Sequence, residues 1–281
     1  GNFRSGTTLL FRMLREGIPY ATSPATWEIY LAPTVSQRLF WRGLALFDSA
    51  FGSPVGILIR MFNERLKEVP YHPIDLFEPE EDAGGLMYAW SGFFTWFLFP
   101  RTRNVPEVAM LDHLPNRRKR LVMRFYRDVV RKHIYAHSRH RSHAPVFVSK
   151  NPAFSGAILS LREQFPRARI VSIERDRNET VRSVSAWFGV WFRIFGSRCS
   201  GSPKRAIVEA LVDLWHRYPI DHETIRVNYH HLVARPRDEM NRLARELAVP
   251  RLTESYSLDA AVRELRRDHG SRGGFEPVRA G

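Results

Sequence analysis

A single cysteine, Cys199, stands in 281 residues, which excludes an internal disulfide framework and any cysteine-based metal site. Acid is scarce beside base: 43 Lys and Arg against 29 Asp and Glu leave a formal charge of +14. That balance favours anionic ligands or surfaces without choosing among them. Apolar runs of about 18 residues are also missing, because Arg42, Asp48 and Arg60 interrupt the greasiest stretch, and a spanning helix is disfavoured. No internal repeat or low-complexity tract occurs. With 44% hydrophobic residues the chain can bury a full core, and we expect one α/β domain over residues 1–281.

A further absence lies at the opening, Gly1-Asn2-Phe3-Arg4-Ser5-Gly6-Thr7-Thr8-Leu9-Leu10. A Walker loop would carry lysine where Thr7 stands; the glycine spacing and the final hydroxyl are kept, and the cation has moved to Arg4. Ser5, Gly6, Thr7 and Thr8 offer backbone N–H groups and hydroxyls at a helix N-terminus, where unpaired donors and the helix dipole favour an anion. Leu9, Leu10, Met13 and Leu14 follow at helical spacing, so this loop is expected to be pinned to a packed helix over residues 5–17. An ordinary Ser/Thr cap is the plain alternative. Loops of this kind follow a buried strand and none precedes Gly1, so the first strand is expected upstream of this chain, with an open place beside residues 1–8.

Further along, residues 19–24 read as a turn, and 35–68 as two helices broken near Gly52 to Pro54. Residues 71–82 read as an acidic loop, 83–98 as an aromatic helix and 115–138 as a long basic helix. Strands are expected at 145–149, 169–173 and 225–229, with helices at 155–165, 178–193, 203–217 and 236–248 between and after them. The tail, 265–281, reads as a basic loop. Alternation of strand and helix predicts a P-loop-like parallel sheet flanked by helices, interrupted by a largely helical insertion at about 30–140.

A second anion motif follows the strand that ends near Glu174. Arg175 at a strand's carboxyl end and Ser183 early on the next helix are positioned to converge on one phosphate. Pairing of Arg175 with Asp176 or Glu179 is the plain alternative.

Together these residues resemble the 3′-phosphoadenylyl-sulfate (PAPS) dependent sulfotransferases, and their bacterial-type branch most closely. Phe3 to Thr8 resembles the 5′-phosphosulfate loop of that family, and Arg175 with Ser183 its 3′-phosphate motif. Lys150-Asn151-Pro152 with Phe165-Pro166-Arg167-Ala168 resembles its KxP…FPxA segment, and Val227 to Val233 its YEDL turn. The chain departs from the pattern at Phe154, where many bacterial relatives carry a histidine. It departs again at the C-terminal basic loop of that family, for which Arg272-Gly273-Gly274 is the single candidate.

The resemblance implies that Arg4, Ser5, Gly6, Thr7 and Thr8 hold the 5′-phosphosulfate, Arg175 and Ser183 the 3′-phosphate, and that Tyr229 lies near the adenine. Glu28 is then the expected base, with Trp27 beside it desolvating the carboxylate and raising its pKa. A first-turn position in a helix capped by Thr26 is the alternative for Glu28. Lys150 is expected to donate to the bridging oxygen, and Arg4 to stabilise charge without giving up a proton. PAPS is the implied donor and no metal is expected. The implied acceptor is a hydroxyl of a carbohydrate, lipid or small molecule.

The acidic run Glu78 to Asp82 with His72 is a second source of a base. His137, His140 and His143 read as exposed residues of a basic linker, and most insertion aromatics as core, with an acceptor pocket or a membrane surface as their other uses. Cytoplasmic placement with peripheral contact to an anionic membrane is expected, and no nucleic acid partner. A P-loop kinase and a non-catalytic basic module binding nucleic acid or anionic membrane are the rival functions.

Overall fold

Helical spacing of apolar side chains at the opening becomes the buried face of α1 (Thr7–Gly17). The computed structural model describes residues 3–69, 74–93, 109–138, 143–194, 202–218 and 221–249. Among these, β1 (Ala21–Thr22) pairs in parallel with β2 (Val146–Phe147), Ala21 opposite Val146. Likewise β3 (Val171–Glu174) pairs in parallel with β4 (Ile225–Asn228), Val171 opposite Ile225. No described strand joins the two pairs.

Helices supply the crossovers that parallel strands require. Between β1 and β2 run α2 (Thr26–Tyr30), α3 (Val35–Ala50), α4 (Pro54–Lys67) and α5 (Asn116–Ser138). After β2 comes α6 (Ile158–Gln164), whose first free N–H groups, on Leu159 and Ser160, donate to Asp112 at 3.0 and 2.9 Å. Between β3 and β4 lie α7 (Arg177–Ile194) and α8 (Ser202–Arg217), and the described chain closes with α9 (Tyr229–Ala234) and α10 (Pro236–Leu247).

Three apolar clusters hold these elements. One packs α1 on β3, β4, α9 and α10 through Leu10, Met13, Ile173, Val227, Leu232 and Leu243. Another joins Phe3 to α7 and α8, with the Phe3 ring stacked on Trp187 at 5.1 Å between centroids. The third seats α5 on Leu86, Phe154 and Ala157. Full burial of each large aliphatic or aromatic side chain contributes roughly 1.5–3 kcal/mol, so the opening loop is anchored at Phe3 on one side and at α1 on the other.

Several boundaries differ from expectation. Residues 19–24 contain β1, whose two residues are too few to show alternation. The expected aromatic helix starts as a 3-10 segment, Asp82–Ala89, which ends where Trp90 turns left-handed at φ 51°. Tyr229 opens α9 instead of closing a strand, because the Asn228 side chain accepts from the His231 N–H at 3.1 Å and caps the helix. Aromatics of α3 and α4 are not core: Phe40, Trp41, Phe47 and Phe51 are exposed, as is Trp90, whereas Phe93 is buried. His72, Phe94, Trp96, Phe97, His140, Cys199, Arg272-Gly273-Gly274 and the tail lie outside the described residues.

Candidate functional site

Gly6 stands in the left-handed region at φ 89° and begins the α1 ladder by accepting from the Leu10 N–H at 3.1 Å. Only glycine fits, since a Cβ there would lie 2.6 Å from Tyr229 Cδ2 and 3.3 Å from Ile173 Cδ1. The loop is therefore laid against the carboxyl ends of β3 and β4, with the N–H groups of the first helical turn and the positive end of the α1 dipole beside it. Arg4 is left-handed as well, at φ 62°. Ser5 is fully buried, and its hydroxyl has no hydrogen-bond partner among the described residues. A buried polar atom left so is costly unless a ligand satisfies it.

The two anion motifs meet. Arg175 donates from its Nη1 to the Arg4 carbonyl at 2.9 Å, and Arg4 Nε donates to Ser183 Oγ at 3.3 Å. Arg175 also pairs with Glu179 at 2.9 Å, so the expected surface pairing exists, but alongside the loop contact. Its guanidinium lies 4.3 Å from the Tyr229 ring centroid. Tyr229, expected near an adenine, is buried with this guanidinium on its ring and Gly6 against its edge. The geometry makes it the floor of the loop.

Lys150 follows β2 and is buried, not a solvated strand end. Ser23 Oγ donates to the Val148 carbonyl at 2.6 Å and fixes the segment that carries it. Its ammonium donates to Glu80 at 2.6 Å and to Thr8 Oγ1 at 3.4 Å, with Glu81 at 3.7 Å. Burial pulls the lysine pKa down, but the charges of Glu80 and Glu81 outweigh it and the net direction is up. The ammonium therefore stays charged beside the loop. Next to it, Asp82 accepts from Ser149 at 2.9 Å and from the Tyr126 hydroxyl. Burial lifts Asp82 to about 6 against those hydrogen bonds and the Lys150 charge. The side-chain amide of Asn151 is buried, and neither of its polar atoms has a partner among the described residues.

Glu28 differs from expectation. It sits in the first turn of α2, whose N-cap is Ala25, not Thr26, and accepts from the Ala25 N–H at 3.1 Å. Its other partners are Arg38 at 3.2 Å, His137 at 2.9 Å and His133 at 3.6 Å. None belongs to the opening loop. Burial pushes its pKa up, but the His137 hydrogen bond and the charges of Arg38, His133 and His137 prevail and hold it at about 2. The expected rise beside Trp27 is thus reversed, because Arg38, His133 and His137 are brought to the carboxylate from distant elements. His137 belongs to α5 and not to a linker, while His143 is exposed against Tyr20. Glu28, His133 and His137 place ligand atoms within 4.8 Å of one another, yet Arg38 already supplies the counter-charge to the carboxylate and lies 3.3 Å from His133 Nδ1.

Sequence reasoning missed the Glu28 cluster and the clasp of Lys150 by Glu80 and Glu81. The i, i+4 spacing of His133 and His137 on α5 was the legible sign of the first. For the second it was the acidic run, weighed only as a separate base.

The fold resembles two solved mycobacterial structures. Against the sulfotransferase STF9 from Mycobacterium avium the TM-score is 0.66 at 17% identity, covering 96% of this chain and 67% of the other. Against the sulfotransferase STF1 from Mycobacterium tuberculosis it is 0.59 at 17% identity, covering 95% and 71%. No curated protein sequence matches. The family described as the sulfotransferase family matches residues 1–254. With the match running from the opening loop through both anion motifs and past α10, the chain belongs to the sulfotransferase family.

Proposed function

We propose that this chain moves a sulfuryl group from PAPS to a hydroxyl of a carbohydrate, lipid or small-molecule acceptor. Family membership supports sulfuryl transfer in general; donor, acceptor and residue roles are the proposal. One observation carries it: Arg4 touches both Arg175 and Ser183, so the loop and the β3 turn form one cationic cleft. A nucleotide with phosphate at both ends suits that cleft better than a triphosphate. Against the rival kinase, Thr7 stands in this chain where a P-loop kinase carries its lysine, and a basic module leaves the paired motifs without a purpose.

The residues fit the donor. The partnerless Ser5 hydroxyl and the α1 N-terminus would receive the 5′-phosphosulfate together with Arg4, Gly6, Thr7 and Thr8. Arg175 and Ser183 would hold the 3′-phosphate over the Tyr229 floor. When bound, the donor supplies an electrophilic sulfur and a phosphate leaving group. Lys150, kept charged by Glu80 and Glu81, would stabilise the charge that develops on the leaving oxygen.

A base works best with a pKa near the operating pH. Glu28, at about 2 and paired with Arg38, takes a proton poorly. Glu80 is ion-paired too, to Lys150, but through that lysine it stands beside the loop, where Glu28 has no partner among the described residues. Glu28 then holds α2 to α3 and α5 through its ion-pair cluster. The basic surface serves the anionic donor and an anionic membrane face, and no nucleic acid enters the account.

Transfer from labelled PAPS to a panel of hydroxyl acceptors tests the proposal. Lys150→Ala is expected to lower kcat by about 10²-fold while PAP affinity stays within a few-fold. Glu80→Gln should lower kcat more than Glu28→Gln. An unchanged rate in Lys150→Ala, or transfer from ATP with Mg²⁺ instead of PAPS, overturns it.

A further inference from the structure

The hairpin of α3 and α4 is built inside out. The buried residues of α3 are Arg38 and Asp48, and that of α4 is Asn63. Each of these polar groups is satisfied inward. Arg38 donates to the Ala32 carbonyl at 3.1 Å and pairs with Glu28. Asp48 accepts from the Val55 and Gly56 N–H groups at 3.0 and 2.8 Å, and Asn63 bridges Asp75 and the Leu76 N–H. Facing outward, Phe40, Leu46, Phe47, Phe51, Leu58 and Met61 are 63 to 74% exposed. A helix on a water-facing surface shows the reverse polarity. Monomeric proteins rarely leave a broad apolar face uncovered, and such faces mark interaction sites.

We infer that this hairpin docks in the surface of an anionic lipid bilayer, its apolar face among the acyl chains of one leaflet. Ile57, Leu58 and Ile59 are consecutive and all exposed. Successive helical residues point about 100° apart, so the apolar surface wraps much of α4. A fluid medium covers such a surface, whereas a folded partner fits a stripe. Neither helix is long and apolar enough to cross a membrane. The pair together has the length and composition, but it bends by 115° at the break between the helices, a shape suited to lying in one leaflet.

Charge selects the bilayer over a second copy. Arg42 and Arg60 are exposed among the apolar residues and make no ion pair among the described residues. A two-fold interface would bring these cations of a +14 chain toward their own kind, which costs association energy. Lipid phosphates accept them, and the long arginine stems let the heads reach the headgroup level while the apolar residues sink.

Flotation of the 281-residue chain with phosphatidylcholine vesicles, with and without phosphatidylglycerol, tests this. Expected are flotation with the mixed vesicles that survives high salt, quenching of Trp fluorescence by nitroxide-labelled acyl chains, and relief of that quenching in Trp41→Phe. Phe47→Glu combined with Leu58→Glu, both exposed changes, should cut vesicle binding by about tenfold or more with an unaltered melting temperature. Three results overturn the inference: no flotation on mixed vesicles, binding that salt abolishes and the double variant does not weaken, or a lipid-free dimer that the double variant dissociates.

Discussion

Ser5 and Glu28 are buried polar side chains with opposite fates. The Ser5 hydroxyl has no partner among the described residues, so Ser5→Ala removes a cost from the ligand-free chain. Thermal denaturation should show equal or higher stability, by on the order of 1 kcal/mol, while PAP titration shows weaker binding. A destabilised variant with unchanged PAP affinity would assign Ser5 to packing alone. Glu28 is fully engaged. Its folded pKa of about 2 lies below the ordinary 4.5, so its contribution is complete above the ordinary value and is lost as pH falls toward the folded one. The difference is worth roughly 3 kcal/mol. Urea denaturation of Glu28→Gln should show a loss of that size at neutral pH, shrinking progressively as the medium is acidified below the ordinary carboxylate range.

Elements were legible where sequence periodicity was long. The periodicity of α1, the break between α3 and α4 and the long α5 all appear in the apolar spacing and in Gly52 to Pro54. The two-residue strand β1 is set by a partner far along the chain, Val146, and the short α9 by a single local cap, Asn228. Periodicity cannot register them. Which face of α3 and α4 turns inward was also hidden, because apolar spacing alone assigns the greasy side to the core. The inward choice is fixed by Asp48, which caps α4 through Val55 and Gly56. Asp48→Ala should cost about 1 kcal/mol and speed proteolysis near Gly52, read by a melting curve and by mass-spectrometric mapping of the first cuts. Intact resistance at that bend would remove the capping role.

Across the molecule, the two strand pairs present their carboxyl ends to one place. Thr8 meets Lys150 beyond β2, and Arg4 meets Arg175 beyond β3. The sequence displayed both anion motifs but not their meeting, which depends on how α1 seats on β3 and β4. Glu28, named for the same cleft, is held instead by α3 and α5.

Comparing PAP with adenosine 5′-phosphate in calorimetric titrations reads the cleft most directly. If one cleft grips both ends of the nucleotide, the chain binds PAP more tightly by about tenfold or more, and Arg175→Ala erases that preference. Equal affinity for the two nucleotides, or a preference that survives Arg175→Ala, would contradict it.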